Sequence, residues 1–179
     1  MKKYIAAIII LSSLIALPAF AALKLGDQAP DFSAKASLAG KEFRFSLKSS
    51  LKKGPVVLYF FPAAFTSGCT VEAHEFAEAA VTFKEAGATL IGMSGDDIGT
   101  LHKFSTQECS SRFPVASDPN LKVIRAYDAA LVRVGNFGLA DRISYVIAPD
   151  GTVAYSYSAL DPDKHVENTL TAVKALTKK

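Results

Sequence analysis

Cys69 has the sequence surroundings of a reactive thiol. Residues 56–61, Val-Val-Leu-Tyr-Phe-Phe, form an apolar run between two prolines, which is typical of a strand buried on both faces. The segment after Gly68 predicts a helix, because Phe76 and Phe83 recur at helical spacing. Cys69 is therefore expected at a helix N-terminus, where free N–H groups and the positive end of the dipole favour thiolate over thiol. We expect an exposed, nucleophilic sulfur at this position.

Two residues before Cys69 have alternative interpretations from spacing alone. The hydroxyl of Thr66, three residues earlier, can reach the sulfur, or it can cap the helix by accepting from a backbone N–H. Pro62 can be a simple strand terminator, which is the common role of proline at such a position. Glu72, one turn after Cys69, can orient a cation or be a favourable charge near the helix start.

Pro62, Thr66 and Cys69 resemble the active-site pattern of the peroxiredoxins, Pro-x-x-x-Thr-x-x-Cys. The residues from Tyr59 to Thr70 look most like the bacterioferritin-comigratory-protein subgroup, and the resemblance extends from about residue 26 to about residue 176. Arg142 matches the family's active-site arginine by its position before an apolar strand over 143–147.

This resemblance implies a thioredoxin-dependent type of thiol peroxidase, an oxidoreductase that reduces hydrogen peroxide and organic hydroperoxides without a cofactor. Cys69 would be the peroxidatic nucleophile and become a sulfenic acid, while Pro62 shields it and the Thr66 hydroxyl lies within reach of the sulfur and the peroxide oxygen. Arg142 would stabilise the thiolate and the peroxide oxygens through its fixed planar donors. The implied reductant is a thioredoxin-like protein or a small thiol.

Cys109 is the candidate for resolving the sulfenic acid. The subgroup's commonest resolving position is five residues after the nucleophile, where this chain has His74, and some relatives use the helix that Asp97 opens here. On that helix Cys109 lies about 20° from Ile98, on the apolar face. A buried, inert Cys109 remains an alternative, and it would leave a one-cysteine enzyme that uses an external thiol.

Other classes of function fit the sequence less well. A thioredoxin-type oxidoreductase needs Cys-x-x-Cys, and Glu72 occupies the second cysteine position. A metal carrier is a further alternative, although the spacing of the candidate ligands matches no usual zinc pattern. Those ligands are Cys69, His74, His102 and Cys109. A structural disulfide or an inactive binding module are the remaining alternatives, but a domain of this size needs no covalent staple.

The elements that position these residues predict an α/β fold. Residues 31–46 alternate around Ala39-Gly40 and predict an N-terminal β-hairpin. Strands near 56–61, 89–93, 114–116, 143–147 and 153–157 alternate with helices. The helices are expected to open at Asp97 and run to about Cys109, to open at Asp118-Pro119 and run through Tyr127, and to open at Asp161-Pro162. We expect a single thioredoxin-like domain, a mixed central sheet with helices on both faces.

Residues 1–21 have the pattern of a signal peptide. Lys2 and Lys3 precede an apolar run, and Ala19 and Ala21 flank Phe20 as in a signal-peptidase site. We therefore expect a mature domain over 22–179 that is periplasmic or secreted and free of the membrane; an uncleaved anchor facing outside the cytoplasm is the alternative.

Loss of the leader lowers the formal net charge from +3 to +1, which gives no electrostatic case for nucleic acid. The oligomeric state, monomer or homodimer, depends on whether Val132, Val134 and Phe137 face a partner or the core.

Overall fold

The computed structural model describes residues 22–131 and 138–178, which form a seven-stranded mixed sheet with helices on both faces. The strands are β1 Ser33–Leu38, β2 Lys41–Ser46, β3 Val56–Phe60, β4 Thr89–Ser94, β5 Val115–Ser117, β6 Ile143–Ile147 and β7 Val153–Ser158. The helices are α1 Leu47–Leu51, α2 Ser67–Glu85, α3 Ile98–Gln107, α4 Lys122–Ala126 and α5 His165–Thr177. The strand order is β2-β1-β5-β4-β3-β6-β7. The predicted thioredoxin-like fold class is confirmed.

Strand β3 lies at the centre of the core and every residue in it is buried, as the uninterrupted apolar run predicts. It pairs in parallel with β4 and antiparallel with β6. Its side chains alternate between two hydrophobic clusters: Val56, Leu58 and Phe60 face one, and Val57, Tyr59 and Phe61 face the other. Because α1 and α4 contribute to the first cluster and α2, α3 and α5 to the second, the sheet is covered on both faces.

The N-terminal hairpin is formed by β1 and β2, with Ala39 and Gly40 at positive φ in the turn. Strand β1 also pairs antiparallel with β5, so the hairpin closes one edge of the sheet. Helix α3 begins as predicted, with the Asp97 carboxylate accepting from Thr100 N at 3.0 Å. The helix ends at Gln107, so Cys109 lies two residues beyond its last residue.

Helix α4 begins later than the sequence predicts. It starts at Lys122, because Leu121 adopts a left-handed conformation with φ 53° that interrupts any helix opened at Pro119. Leu121 is buried in the core, so tertiary packing overrides the local proline signal. Asp118 still caps the helix from a distance, accepting from Lys122 N at 3.0 Å and Ile124 N at 2.9 Å.

Helix α5 also begins later than expected, at His165 instead of next to Pro162. The side chain of Asp161 accepts from Asp163 N at 3.1 Å, which forms a local turn in place of a helix cap. After this turn the first helical residue, His165, lies in the core and has no exposed surface.

The predicted leader and the loop residues Val132, Val134 and Phe137 lie outside the described residues. Within the described ranges, no helix is both long and apolar enough to cross a membrane.

Candidate active site

The loop from Pro62 to Thr66 connects β3 to α2 and is fixed by contacts with residues elsewhere in the chain. The carboxylate of Asp96, just after β4, accepts from Ala64 N at 2.8 Å and from Ser94 Oγ at 2.7 Å. Phe65 has φ 64°, an unusual conformation for a bulky residue, and its ring meets the edge of Phe104 on α3 at 5.3 Å. Backbone strain of this kind persists only where neighbours impose it.

Cys69 lies in the first turn of α2, at the helix start that the sequence predicts. It is only 1% exposed, so the expectation of an exposed sulfur is wrong. The sulfur is 3.5 Å from Nη2 of Arg142. Gly68 makes this approach possible, because a Cβ at that residue would lie 3.0 Å from the same Nη2. The thiol is thus enclosed against a guanidinium.

Arg142 precedes β6 and is held by three different groups. Its Nε donates to Leu160 O at 2.8 Å, its Nη1 pairs with Glu72 Oε2, and its Nη2 faces Cys69. Burial lowers the pKa of Arg142, but its electrostatic and hydrogen-bond interactions with Glu72 and Cys69 outweigh that effect and raise it overall. Arg142 therefore carries a permanent positive charge directly against the sulfur.

Glu72 is fully buried and pairs with Arg142, so it orients the cation and is not a surface charge at the helix start. Burial raises the pKa of Glu72 to about 8, and Arg142 opposes that rise. The second carboxylate oxygen, Oε1, has no hydrogen-bond partner within the described part of the chain. Its neighbour at 3.7 Å is Nδ1 of His165, which is also fully buried.

Thr66 occupies the N-cap position of α2 with an extended backbone, but its side chain makes no capping bond within the described ranges. Its hydroxyl donates to Ala63 O at 3.0 Å, which leaves the oxygen lone pairs free to accept from another donor. Pro62 is half-buried in the same loop, between the end of β3 and Ala63.

Cys109 is fully buried in the same hydrophobic cluster as Cys69, and both are free thiols. Burial raises the pKa of Cys109, and the neighbouring charge of Glu108 raises it further. Ser110 and Ser111, which follow it, both have positive φ, 49° and 57°. The structure therefore places Cys109 in the core and does not join it to Cys69.

Two contacts fasten the segment 108–112, which carries Cys109, to α2. Glu108 Oε2 pairs with Nε2 of His74 at 2.9 Å, and Arg112 Nη1 donates to Ala77 O at 3.3 Å. His74, the residue at the short-spaced resolving position, thus contacts the segment that holds the other cysteine. The four residues considered as metal ligands do not converge, since no group of three such side chains forms a metal site among the described residues.

Sequence reasoning missed four residues around the site: Asp96, Ser144, His165 and Tyr59. Asp96 follows a strand in a Ser-Gly-Asp-Asp turn, a polar signal that could have suggested a loop anchor. Tyr59 fills the space over Gly92 on β4, and its buried hydroxyl has no partner in the described ranges. The glycine opposite Tyr59 is visible only once the strand register is known.

Comparison with known proteins identifies the class. The sequence pattern of the AhpC/TSA family matches residues 25–156, and the chain belongs to this family. It is a peroxiredoxin of the bacterioferritin-comigratory-protein or peroxiredoxin Q subgroup, as predicted, and therefore a thiol peroxidase.

Relatives in this subgroup cover most of the chain. Chloroplastic peroxiredoxin Q of Oryza sativa subsp. japonica is 36% identical over 152 residues, 84% of this chain and 67% of the relative. The Arabidopsis thaliana protein of the same name is 38% identical over 157 residues, 87% of this chain and 69% of the relative. The crystal structure of peroxidoxin BcpB from Mycobacterium tuberculosis has a TM-score of 0.79 at 30% identity, and the match covers 86% of this chain and 98% of that one.

Proposed function

We propose that Cys69 is the peroxidatic nucleophile of this thiol peroxidase. The thiolate attacks one oxygen of the peroxide, the O–O bond breaks, and the sulfur becomes a sulfenic acid. The other oxygen leaves with the electron pair of that bond and takes up a proton to give water or an alcohol. The observation that carries this proposal is the 3.5 Å contact between Cys69 Sγ and Arg142 Nη2, since it sets a permanent cation where negative charge develops.

Thr66 and Pro62 complete the peroxide site in this proposal. The Thr66 hydroxyl already donates to Ala63 O, so its oxygen is available as the acceptor for the O–H of hydrogen peroxide or a hydroperoxide. In the same proposal Pro62 shields the sulfur without adding an N–H donor. Both roles agree with the enclosure of a sulfur that is 1% exposed.

Cys109 is the proposed resolving residue. Its thiol attacks the Cys69 sulfenic acid, a disulfide forms, and the hydroxyl leaves as water after protonation. Disulfide formation requires Cα atoms within about 7 Å. In this proposal the segment 108–112 leaves its contacts on α2 so that the Cys109 sulfur can reach Cys69. The short α3 and the two left-handed serines favour that release. A thioredoxin-like protein or small thiol then reduces the disulfide; an external thiol acting directly on Cys69, without a peroxidatic disulfide, is the alternative.

Cys69→Ser should abolish peroxide consumption with a thiol reductant, because Cys69 carries the thiol that faces Arg142. Cys109→Ser should still consume one equivalent of peroxide per protein. Non-reducing peptide mapping after one equivalent of peroxide should find a Cys69–Cys109 cross-link in the unsubstituted protein, lost in Cys109→Ser. Full activity in Cys69→Ser would refute the nucleophile. A sulfenic or sulfinic Cys69 beside a free Cys109 would support the one-cysteine alternative.

The proposed location is the periplasm or the exterior of the cell, after cleavage of residues 1–21. The mature protein, a monomer or homodimer, should begin at Ala22, because Ala19 and Ala21 present small residues to the peptidase. The intact mass of the natively produced protein measures this directly. Retention of Met1 in a membrane fraction would favour the anchored alternative.

A further inference from the structure

A buried chain of polar groups continues from Arg142 away from the sulfur. Glu72, Ser144 and His165 have no exposed surface, and they come from α2, β6 and α5. His165 Nδ1 lies 2.8 Å from Ser144 Oγ and 3.7 Å from Glu72 Oε1, and its Nε2 lies 3.0 Å from Ala159 O. Neither Ser144 nor His165 touches Cys69, so the proposed reaction leaves them without a role.

The contact with Ala159 determines part of the protonation state of His165. A carbonyl oxygen only accepts, so Nε2 must carry a hydrogen and donate to it. In the neutral ring Nδ1 then has a lone pair and accepts from the Ser144 hydroxyl. The lone pair of Nδ1 would also face the unpartnered Oε1 of Glu72. If Glu72 were ionised as well, two electron-rich atoms would meet in the core without a proton, which is costly.

One proton removes this conflict in either of two arrangements. On Oε1 it makes Glu72 a neutral acid that faces the Nδ1 lone pair. On Nδ1 it makes His165 an imidazolium that donates to Ser144 and forms an ion pair with Glu72. Both arrangements give the two residues together no net charge.

We propose that Glu72 and His165 hold one proton between them, and that His165 is thereby a positioning residue for Cys69 that acts through Glu72 and Arg142. With the proton present, the charge of Arg142 is not cancelled by a second buried anion and serves the thiolate and the peroxide. Without the proton, the negative charge of Glu72 neutralises Arg142 and weakens its electrostatic stabilisation of the thiolate and the peroxide. The catalytic consequence rests on the proposed function of Cys69, but the shared proton does not.

Several other groups act on this pair. Those facing Glu72 are Glu75 of α2, Arg142 before β6, His165 of α5 and Tyr59 of β3. Those facing His165 are Arg142, Asp141, Asp161, Ser144, Glu72 and the Tyr157 ring at 4.8 Å. Burial raises the pKa of Glu72 and lowers that of His165, so at neutral pH the proton resides mainly on the carboxyl.

The first test needs no peroxide. In reduced protein labelled with ¹³C at the glutamate carboxyls and ¹⁵N in histidine, the Glu72 signal, assigned by its loss in Glu72→Gln, should be that of a carboxylic acid at pH 6. It should lose its proton near pH 8, and the His165 nitrogen shifts should change at the same midpoint. A Glu72 carboxylate beside a neutral His165 throughout pH 6–8 would overturn the proposal, whatever the activity of the enzyme.

The second test addresses the effect on Cys69. His165→Gln places an amide that can donate to Oε1, so the Glu72 titration should move to lower pH by more than one unit. The rate of Cys69 oxidation by one equivalent of hydrogen peroxide at pH 7 should fall at least about twofold, because at least half of the Glu72 carboxyls are then ionised and cancel Arg142. The matched control, His102→Gln on α3, should change neither quantity.

The outcomes separate the two proposals. A shifted Glu72 titration with an unchanged oxidation rate would overturn the positioning role of His165. A protein with the shared proton whose Cys69 does not react with peroxide would instead refute the proposed nucleophile and leave the proton pair standing.

Discussion

At the scale of single residues, the site depends on a guanidinium that meets three groups in three directions. The planar fork of Arg142 contacts Leu160 O, Glu72 and Cys69 at the same time. Lysine has one nitrogen on a flexible stem and cannot reproduce this geometry. Arg142 is 4% exposed, so its contacts are also shielded from water, and the electrostatic attraction is stronger than it would be in solvent.

Arg142→Lys should therefore lower the second-order rate constant for Cys69 oxidation by hydrogen peroxide by about 100-fold, the loss typical of removing one preorganised donor. Quenched-flow trapping of the remaining thiol measures that constant directly. Arg44→Lys on the exposed face of β2 is the matched control and should behave as the unsubstituted protein. Equal rates for Arg142→Lys and the control would refute the role of the planar Arg142 guanidinium in stabilising the thiolate and the peroxide.

The sequence predicts the residues whose chemistry is local and misses those that depend on tertiary packing. The position of Cys69 at a helix start follows from the strand and helix patterns around it, and Arg142 follows from the resemblance. The burial of Cys69 does not follow from these patterns, because the enclosure of its sulfur depends on the Arg142 side chain lying against Gly68. Asp96 and His165 reach the site from distant parts of the chain, so no spacing rule in one sequence finds them.

At the scale of elements, packing decides where the helices begin. Asp97 caps α3 as predicted, because its cap bond is made to the next turn of the same helix. Asp118 and Asp161 have the same local signal beside a proline, yet α4 and α5 start at Lys122 and His165. Leu121 and His165 are buried there, and the burial of a large side chain outweighs a capping preference of about 1 kcal/mol.

Helix α3 also couples the two cysteines. Phe104 stacks on Phe61 at 5.3 Å and meets Phe65 of the Cys69 loop, and its carbonyl accepts from Cys109 N at 3.1 Å. Movement of the Cys109 segment therefore disturbs the packing of the loop before Cys69. If Cys109 attacks the Cys69 sulfenic acid as proposed, we expect disulfide formation and the later recovery of the peroxide site to be linked steps of one local rearrangement.

His74→Ala removes the contact that holds Glu108 to α2 and should speed Cys69–Cys109 disulfide formation after one equivalent of peroxide. We expect a several-fold increase, since a partly exposed polar contact of this kind contributes at most about 1 kcal/mol. Quenching with a thiol-alkylating reagent and counting free thiols by mass gives the rate.

The control for this prediction is Lys35→Ala, which breaks an exposed pair with Glu42 at 3.1 Å on the hairpin. That variant should form the disulfide at the unsubstituted rate. A His74→Ala protein with an unchanged rate would mean that other contacts, and not the one between His74 and Glu108, limit the release of the 108–112 segment.

At the scale of the whole molecule, the two faces of the sheet differ in what they bury. The face covered by α1 and α4 is a hydrophobic core around Phe60 and Tyr127. The face covered by α2, α3 and α5 contains both cysteines and lies beside the Arg142, Glu72 and His165 cluster. Buried charges of this kind commonly reduce stability relative to apolar packing, so the functional face is expected to be the less stable one.

The buried carboxyl should make the stability of the protein depend on pH. The pKa of Glu72 rises on folding from 4.5 to about 8, because burial penalises its charged form. The pKa of His165 is lowered from 6.5 by burial, so above pH 6.5 that ring is mostly neutral in both states, and what it still contributes is common to the two variants compared below. Between pH 6.5 and 8 the folded state keeps a proton on Glu72 that the unfolded chain has lost. The free energy of unfolding should therefore fall as pH rises, by up to about 1.4 kcal/mol per pH unit.

Urea unfolding of the Cys69→Ser protein between pH 6.5 and 8 measures this slope without a titrating active-site thiol. The Cys69→Ser/Glu72→Gln double variant has no proton to lose at residue 72, so its stability should change less over the same range, even if its absolute stability is lower. The difference between the two slopes isolates the Glu72 contribution. Parallel curves would mean that Glu72 is ionised in the folded protein throughout this range, and that the ion pair with Arg142 outweighs the cost of burying the charge.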